Sequence, residues 1–301
     1  MKKTPRILML GQGFIGTAVT QKLNDLGYSV EIYTRDTGQD ILDMNALEIA
    51  VARNDFIIQM AAVADLNKFE ADPLLGMQIN LWGTVLCAQA CTKYRKRLYN
   101  ISTCCVYGNT TDLPSNEESL CNPSEIYAEA KLAGEHVIKA YHKSYGLEYV
   151  ILRIATTYGP GMRGALATAI FLRKILNNES IAIHGTGNQT RTLTYIDDER
   201  DGIVAAINHP EIVNETINIS SEEERSVMDL AKIIMKTTGK DVPLDFVNDR
   251  KGQTFRELID ARKAYKLLNW KTRYSLEEGI QKTFNWINGM TKNDREIFLE
   301  T

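Results

Sequence analysis

Long apolar runs are missing from this 301-residue sequence, and none approaches the roughly 18 residues of a membrane-spanning helix. The N-terminal segment MKKTPRILML is basic and then apolar, as in a signal peptide, but its apolar part is short and passes at once into a glycine loop. We therefore interpret this segment as a first strand. We expect a cytoplasmic protein.

An excess of charge of either sign is also missing. The 35 Lys and Arg residues nearly balance the 38 Asp and Glu residues, which gives a formal net charge of -3. This balance gives no electrostatic reason to expect nucleic acid or a membrane surface as a partner, so small-molecule partners are favoured. The length allows one large domain or two interlocked ones.

Cysteine is scarce and lacks zinc-type CxxC spacing. The five cysteines are Cys87, Cys91, Cys104, Cys105 and Cys121. An odd number without such pairing is typical of reduced thiols in a cytosolic protein, so we predict neither disulfides nor a metal site. Internal repeats and low-complexity linkers are missing as well.

Short apolar runs alternate with helical patterns in the first half of the chain. The runs at 6–10, 29–33, 56–60, 98–101 and 149–154 are predicted strands. Their alternation with helices predicts an α/β fold with a doubly wound parallel sheet. The strands are almost entirely apolar, as expected when helices cover both faces of the sheet.

The second half of the chain is less regular. A helix is predicted near 165–176, a strand at 181–183 and an amphipathic helix at 275–290. We therefore divide the chain into a sheet domain at 1–160, to which the chain returns around 190–220, and a smaller mixed α/β lobe at 161–301.

The first predicted strand runs directly into the turn GQGFIG. Its residues are Gly11, Gln12, Gly13, Phe14, Ile15 and Gly16, and a predicted helix follows at 17–26. Glycines let the backbone turn tightly and approach a pyrophosphate, whose charge then rests on amides at the start of the helix. The strand–turn–helix context favours a dinucleotide site over an ordinary glycine turn.

The end of the second strand distinguishes NAD from NADP. An acidic side chain there accepts the ribose 2′-hydroxyl, whereas a basic one accommodates a 2′-phosphate. Thr34 stands where the acid is expected and Arg35 follows it, so we favour NADP(H). NAD(H) stays open, because a shift of two residues would place Asp36 there and because Arg35 is also explained as a solvated loop charge.

Tyr127 and Lys131 are four residues apart on a predicted helix and therefore share one face. A neighbouring ammonium group favours the phenolate and lowers the pKa of a tyrosine from its usual value of about 10. Tyr127 is then a candidate to exchange a proton with a carbonyl or alcohol during hydride transfer, with Lys131 also holding the nicotinamide ribose. A surface pair is the alternative.

Further motifs accompany these two: MAA at 60–62, NLWGT at 80–84, STCCVYG at 102–108, RIATTYGPGMR at 153–163 and GNQTRTLTYIDD at 187–198. Together they resemble the extended short-chain dehydrogenase/reductases, from residue 6 to about 290. Within that family the chain is similar to the nucleotide-sugar epimerases, dehydratases and reductases. The resemblance implies a Rossmann-type domain for the dinucleotide, a C-terminal lobe for a nucleoside-diphosphate sugar, and a homodimer.

The resemblance also implies residue roles. Thr103 takes the position of the hydroxyl that bonds the reacting sugar oxygen, Tyr127 that of the acid/base and Lys131 that of its partner. The adenine contacts correspond to Asp40 and Ile41. The other implied cofactor positions are Met60, Ala61, Ala62 and Asn80.

For the substrate, the resemblance implies that Arg191 and Arg256 bind the diphosphate of the nucleotide sugar. It also implies that Arg163 is a substrate-binding residue of the C-terminal lobe. The sequence departs from the family at two positions. Leu10 replaces the first glycine of the usual GxxGxxG, and Thr156 replaces an asparagine that contacts substrate. We still expect phosphate binding, because Gly11 supplies a neighbouring glycine.

Cys104 and Cys105 stand where the family's dehydratases carry an acidic pair, so a 4,6-dehydratase is not expected. The GDP-fucose synthase branch has a catalytic cysteine at the position of Cys105, which makes a thiolate base one hypothesis. That branch also has a histidine shortly after the YGP motif, and the sequence has none between 153 and 183. The alternative for Cys105 is a structural role, as a small side chain that fills space. For Cys104 this structural role is the one that we expect.

We therefore expect an NADP(H)-dependent reductase of the 4-keto group on a nucleoside-diphosphate 6-deoxyhexose. A nucleotide-sugar 4-epimerase with tightly bound NAD needs the same Thr103, Tyr127 and Lys131 and is the first alternative. A bifunctional 3,5-epimerase/4-reductase with Cys105 as base is the second. A non-catalytic dinucleotide sensor is the third, and it is disfavoured because such proteins typically lose the Tyr–Lys pair.

Overall fold

The computed structural model describes residues 4–162, 164–249 and 254–300. A six-stranded parallel sheet with the order β2-β1-β3-β4-β5-β9 forms its centre. These strands are β1 (Arg6–Leu10), β2 (Ser29–Tyr33), β3 (Phe56–Gln59), β4 (Arg97–Thr103), β5 (Tyr149–Ile154) and β9 (Glu215–Ile219). The predicted Rossmann-type α/β fold is confirmed.

Helices cover both faces of this sheet, and each face has its own buried apolar cluster. On one face lie α1 (Phe14–Asp25), α8 (Ile196–Asn208) and α10 (Arg262–Leu268). On the other face lie α2 (Met44–Arg53), α5 (Gly83–Tyr94) and α6 (Ile126–Tyr145). Burial on both faces is the physical reason that most side chains of the central strands are apolar.

Shorter elements connect the central strands. A 3-10 turn at Arg35–Thr37 follows β2, and a second one at Cys104–Tyr107 follows β4. Between β3 and β4 come α3 (Leu66–Ala71), α4 (Pro73–Met77) and a π-helical turn at Gln78–Trp82 that continues into α5.

The C-terminal lobe contains two small sheets and four helices within the described residues. One sheet has the order β10-β8-β6 and the other pairs β11 with β7. Its strands are β6 (Thr156–Tyr158), β7 (Ile181–His184), β8 (Thr190–Tyr195), β10 (Glu224–Ser226) and β11 (Leu244–Val247). Its helices are α7 (Ala167–Leu176), α9 (Val227–Thr238), α11 (Leu276–Asn288) and α12 (Lys292–Glu300).

The chain passes between the two parts more than once. β6 follows β5 after one residue, and α8 and β9 carry the chain from the lobe back into the central sheet beside β5. The lobe is therefore tied to the edge of the sheet where the carboxyl ends of the strands lie. No helix in the described ranges has both the length and the apolar character needed to cross a membrane.

Strand order fixes where a ligand can bind. After β1 the chain runs to β2 on one side and then crosses to β3 on the other side. The loops after β1 and β3 consequently diverge at the carboxyl edge and leave a crevice.

Candidate active site

A cavity of about 430 Å³ occupies this crevice, at the carboxyl ends of the central strands. Nearly all of the predicted cofactor residues line it. They are Gly11, Gly13, Phe14, Ile15, Gly16, Thr34, Arg35, Asp40, Ile41, Met60, Ala61, Ala62, Tyr127 and Lys131. The structure therefore brings the glycine turn, the end of β2 and the Tyr–Lys pair to one site.

The glycine turn has no room for side chains at two positions. Gly11 has a φ of 91°, and a Cβ there would lie 2.6 Å from the backbone of Ala61. A Cβ at Gly16 would lie 2.8 Å from the carbonyl oxygen of Gly11. Leu10, which replaces the first glycine of the usual motif, is fully buried at the end of β1. The turn therefore begins at Gly11. Such a backbone cradle fits a pyrophosphate.

The end of β2 presents polar groups to the same cavity. Thr34 precedes a 3-10 turn, and its backbone N–H donates to the Thr37 hydroxyl at 3.0 Å. Arg35 and Asp36 both line the cavity. The cavity therefore offers both a cation and a carboxylate at the place where an adenosine ribose would bind.

Asp40 and Asn80 shape the cavity wall through backbone contacts. The Asp40 carboxylate accepts from the Leu42 N–H at 2.9 Å. Asn80 is fully buried, accepts from the Val63 N–H at 2.8 Å and donates to the Val63 carbonyl oxygen at 3.1 Å. Asn80 thus acts behind the wall by fixing the loop after β3, although the sequence analysis placed it among the cofactor contacts.

Tyr127 and Lys131 lie on α6 and face the cavity together. The Tyr127 ring packs edge-on against buried Phe69, with ring centroids 6.0 Å apart. The Lys131 ammonium group donates to the Ile101 carbonyl oxygen at 2.8 Å, which joins α6 to the end of β4. Burial lowers the pKa of Lys131 to about 8, and the nearby Glu135 carboxylate partly opposes this effect.

Thr103, Cys104 and Cys105 have different surroundings at the end of β4. The Thr103 hydroxyl accepts from the Cys105 N–H at 3.2 Å and so caps the 3-10 turn. Cys104 is buried, and its thiol donates to the Arg153 carbonyl oxygen at 3.4 Å. Burial, followed by the Glu257 carboxylate, raises the pKa of the Cys105 thiol to about 12. A thiol in this environment stays protonated at neutral pH, which disfavours Cys105 as a base.

A second cavity, of about 500 Å³, lies in the C-terminal lobe. Thr156 and Arg191 line it, and the Arg191 guanidinium donates to the Thr190 carbonyl oxygen at 2.7 Å. His184 and Gln189 also line it, together with the cations Lys174 and Arg225, which sequence reasoning missed. Lys174, Arg191 and Arg225 give the lining three cations against the single carboxylate of Asp245, although Lys174 also pairs with Glu179 and Arg225 with Glu223. This excess of positive charge suits an anionic ligand.

Arg256 lies apart from the larger cavity of the lobe. Arg256 is exposed and binds the Glu224 carboxylate with contacts of 2.6 and 2.9 Å. Together with Cys105 and Glu257 it lines a small cavity of about 10 Å³ instead of the large one in the lobe. Arg163 lies outside the described residues. Of the predicted arginines, Arg191 is the one that the structure brings to the larger cavity of the lobe.

Glu257 is a buried carboxyl group that the sequence analysis did not single out. It accepts from the Thr192 hydroxyl at 3.2 Å, and burial raises its pKa. The available signal was an acidic residue directly before the apolar pair Leu258-Ile259.

Taken together, the sheet order, the glycine cradle and the Tyr–Lys pair define a dinucleotide-binding α/β protein. The chain belongs to the NAD dependent epimerase/dehydratase family, whose profile matches residues 7–220. A relative described as a putative UDP-glucose 4-epimerase, from Methanocaldococcus jannaschii, is 33% identical over 307 residues. That match covers 95% of this chain and 98% of the relative.

Solved structures give the same assignment. A UDP-glucose 4-epimerase from Thermotoga maritima, solved with UDP-glucose, superposes with a TM-score of 0.89 at 28% identity and covers 94% of this chain and 98% of that one. A UDP-glucuronic acid 4-epimerase from Bacillus cereus, in complex with UDP-glucuronic acid and NAD, gives 0.88 at 29% identity, covering 94% and 99%. The chain is an enzyme of the nucleotide-sugar epimerase/dehydratase group.

Proposed function

We propose that this enzyme interconverts the C4 epimers of a nucleoside-diphosphate sugar, with NAD held in the glycine-lined cavity. The observation that carries the proposal is the placement of Tyr127 and Lys131 on the wall of that cavity, beside the end of β4. When bound, the nicotinamide supplies a reversible hydride acceptor. The 4-epimerase names of the relatives support this function more than the 4-ketoreductase expected from the sequence.

The chain's own residues supply the proton chemistry. Tyr127 takes the proton of the sugar C4 hydroxyl and later returns it, as a general base and then a general acid. The Lys131 ammonium group, fixed by the Ile101 carbonyl, stabilises the phenolate form of Tyr127. Thr103 orients the same sugar oxygen with its hydroxyl.

The lobe cavity is the site that we assign to the nucleoside diphosphate. Arg191, Arg225 and Lys174 offer cationic groups for the diphosphate, and His184 and Gln189 offer hydrogen bonds for the nucleoside. The UDP-sugars in the names of the related structures make UDP the nucleotide that we expect.

An NADP(H)-dependent 4-ketoreductase is the second candidate, and one observation favours it. Thr34 leaves the usual acidic position at the end of β2 without a carboxylate, and the Arg35 cation lines the cavity. A 2′-phosphate on the adenosine ribose would be neutralised there.

Cofactor analysis combined with a substrate panel tests the proposal. We expect purified protein to release NAD on denaturation and to interconvert UDP-glucose with UDP-galactose, or UDP-glucuronate with UDP-galacturonate, without added cofactor. Stoichiometric consumption of NADPH with a UDP- or dTDP-linked 4-keto-6-deoxyhexose would instead establish the reductase. A protein that binds neither dinucleotide would contradict both candidates.

We also infer a homodimer that buries the apolar side chains on α4 to α6. Leu74, Trp82 and Ile126 are 77%, 54% and 53% exposed, although all three are large and apolar. We expect light scattering to give the mass of a dimer and Trp82→Arg to give a monomer. Tyr265→Arg is the control, because Tyr265 is 57% exposed on α10, which packs on the opposite face of the sheet. A wild-type monomer at micromolar concentration would contradict the inference.

A further inference from the structure

A group of buried charges lies directly behind the Tyr127–Lys131 pair. Glu135 follows Lys131 by one turn of α6 and is fully buried. Its carboxylate accepts from the Ser102 hydroxyl at 2.5 Å and from the Arg153 guanidinium at 2.7 to 3.2 Å. Ser102 lines the cavity between the glycine turn and Tyr127, so Glu135 lies one hydrogen bond behind the wall of that cavity.

Arg153 is itself held from the other side. It lies on β5, is buried, and donates to the Tyr107 hydroxyl at 3.0 Å. The Tyr107 hydroxyl in turn donates to the Asn218 side chain on β9 at 2.7 Å. The guanidinium is thereby hydrogen-bonded on one side to the Glu135 carboxylate and on the other to the 3-10 turn that carries Tyr107.

Two side chains of α6 therefore hold consecutive residues at the end of β4. Lys131 binds the Ile101 carbonyl oxygen, and Glu135 binds the Ser102 hydroxyl. Thr103, the proposed partner of the sugar oxygen, is the next residue of the strand. A change at Glu135 would consequently reach both the ammonium group of Lys131 and the strand end that carries Thr103.

We propose that Glu135 is a positioning residue that keeps Lys131 protonated while it reacts, and that Arg153 sets how much of the Glu135 charge Lys131 experiences. The inference rests on the proposed function, because a charged Lys131 matters through its effect on Tyr127. Glu135 is fully buried and is not part of the lining of either large cavity.

The buried position of Lys131 explains why its ammonium form needs a nearby carboxylate. Lys131 is 5% exposed and has Tyr127 and Glu135 beside it on α6 and the Ile101 carbonyl opposite on β4. The charges facing Glu135 are Lys131 and, at 3.9 Å, Lys139 from α6, together with Arg153 from β5. Two neutral titratable groups also interact with its carboxylate, the Cys121 thiol and the Tyr149 hydroxyl. Burial alone favours a neutral amine, so the ammonium form depends on the Glu135 carboxylate, whose charge Arg153 partly neutralises.

The pH profile of kcat/KM distinguishes this role from a purely structural one. The basic limb reports deprotonation of Lys131 and is expected near pH 8. In Glu135→Gln we expect that limb to move to lower pH by about one unit, because the opposing charge is lost. In Arg153→Met we expect it to move to higher pH, because the Glu135 charge is no longer neutralised. Glu135→Asp, which keeps the carboxylate, should restore most of the wild-type limb.

Lys139→Gln is the matched control: the Lys139 ammonium group is partly exposed and 3.9 Å from Glu135, so solvent screens it, and its removal should move the limb much less than the removal of buried Arg153 does. If the pair is only structural, both core variants lose thermal stability while the limb stays at the wild-type pH, and the inference is overturned. If Arg153→Met does not fold, Glu135→Gln/Arg153→Met replaces it, and its limb should also lie below that of the wild type.

A measurement without substrate separates this inference from the proposed function. Reductive methylation of the unliganded protein across a pH series, followed by mass spectrometry, reports the pKa of the Lys131 amine. A lower value in Glu135→Gln supports the inference, even if no nucleotide sugar is turned over and the proposed function is wrong. An unchanged value overturns the inference, even in an enzyme that proves to be a 4-epimerase.

Discussion

Replacing Tyr127 with phenylalanine is expected to reduce kcat for nucleotide-sugar epimerisation by about 100- to 10,000-fold, the usual contribution of a positioned acid/base group. The substitution removes only the hydroxyl oxygen. It keeps the aromatic ring that packs on Phe69, so α6 and the cavity wall should keep their structure. KM for the nucleotide sugar should change much less, because Arg191 and the lobe cavity are untouched.

Steady-state kinetics on UDP-glucose and UDP-glucuronate, together with circular dichroism, checks this result. Tyr145→Phe is the matched control, since Tyr145 ends the same helix and is 70% exposed. The control should retain wild-type kcat. A Tyr127→Phe enzyme with undiminished kcat would show that the proton passes through another group, and the mechanism would then have to be abandoned.

The central sheet was predictable because its signals are local. Each strand is a short apolar run, and the glycine turn marks the change from strand to helix within six residues. The strands at 6–10, 29–33 and 149–154 have the predicted bounds, whereas β4 is longer than the predicted 98–101. Its additional residues include Ser102 and Thr103, polar side chains that interrupt the apolar pattern because they serve the site and the Glu135 contact.

Contacts between distant segments were not predictable in the same way. Glu135 and Arg153 meet because α6 and β5 pack side by side, and nothing in either local pattern indicates that pairing. The pairing of Arg256 with Glu224 likewise depends on how β10 lies beside the segment after residue 253. Sequence motifs identify which residue types are present, and the tertiary register decides which of them meet.

The choice between reductase and epimerase shows the same limit. From the sequence, Thr34 and Arg35 favoured NADP(H) and hence a reductase. In the structure both residues line the cavity, but Asp36 does so as well, because the 3-10 turn at Arg35–Thr37 curls the chain back on itself. One turn of backbone thus removes the discrimination that the linear order suggested, and the relatives favour the epimerase.

Glu199 provides the second large expected effect, on stability. It lies in the first turn of α8 and is fully buried. One carboxylate oxygen is 3.4 Å from the Thr157 hydroxyl, and the other has no hydrogen-bond partner among the described residues. Burial raises the pKa of Glu199 well above its ordinary value of 4.5, and the adjacent Asp198 adds to the shift. Burial therefore favours the protonated form of this carboxyl group in the folded chain.

The sign of the pH effect follows from proton binding. Above pH 4.5 the unfolded chain releases the Glu199 proton while the folded chain keeps it, so this group makes the protein less stable as pH rises towards its folded-state pKa. The glutamine in the Glu199→Gln variant cannot ionise, so the variant does not lose stability with rising pH through this position. The unfolding free energy of the variant minus that of the wild type should therefore increase with pH, by up to about 1.4 kcal/mol per pH unit.

Urea denaturation at pH 5, 6, 7 and 8 measures this difference in unfolding free energy. The trend with pH is compared, because burying the Gln amide has a free-energy cost of its own that does not depend on pH. Glu70→Gln is the control, since Glu70 is exposed on α3 and its substitution should give a flat difference. A flat difference for Glu199→Gln would mean that the carboxyl group ionises inside the folded protein. A charge buried there would need a cation or ordered water beside the free oxygen, because an isolated carboxylate is not tolerated at a fully buried site.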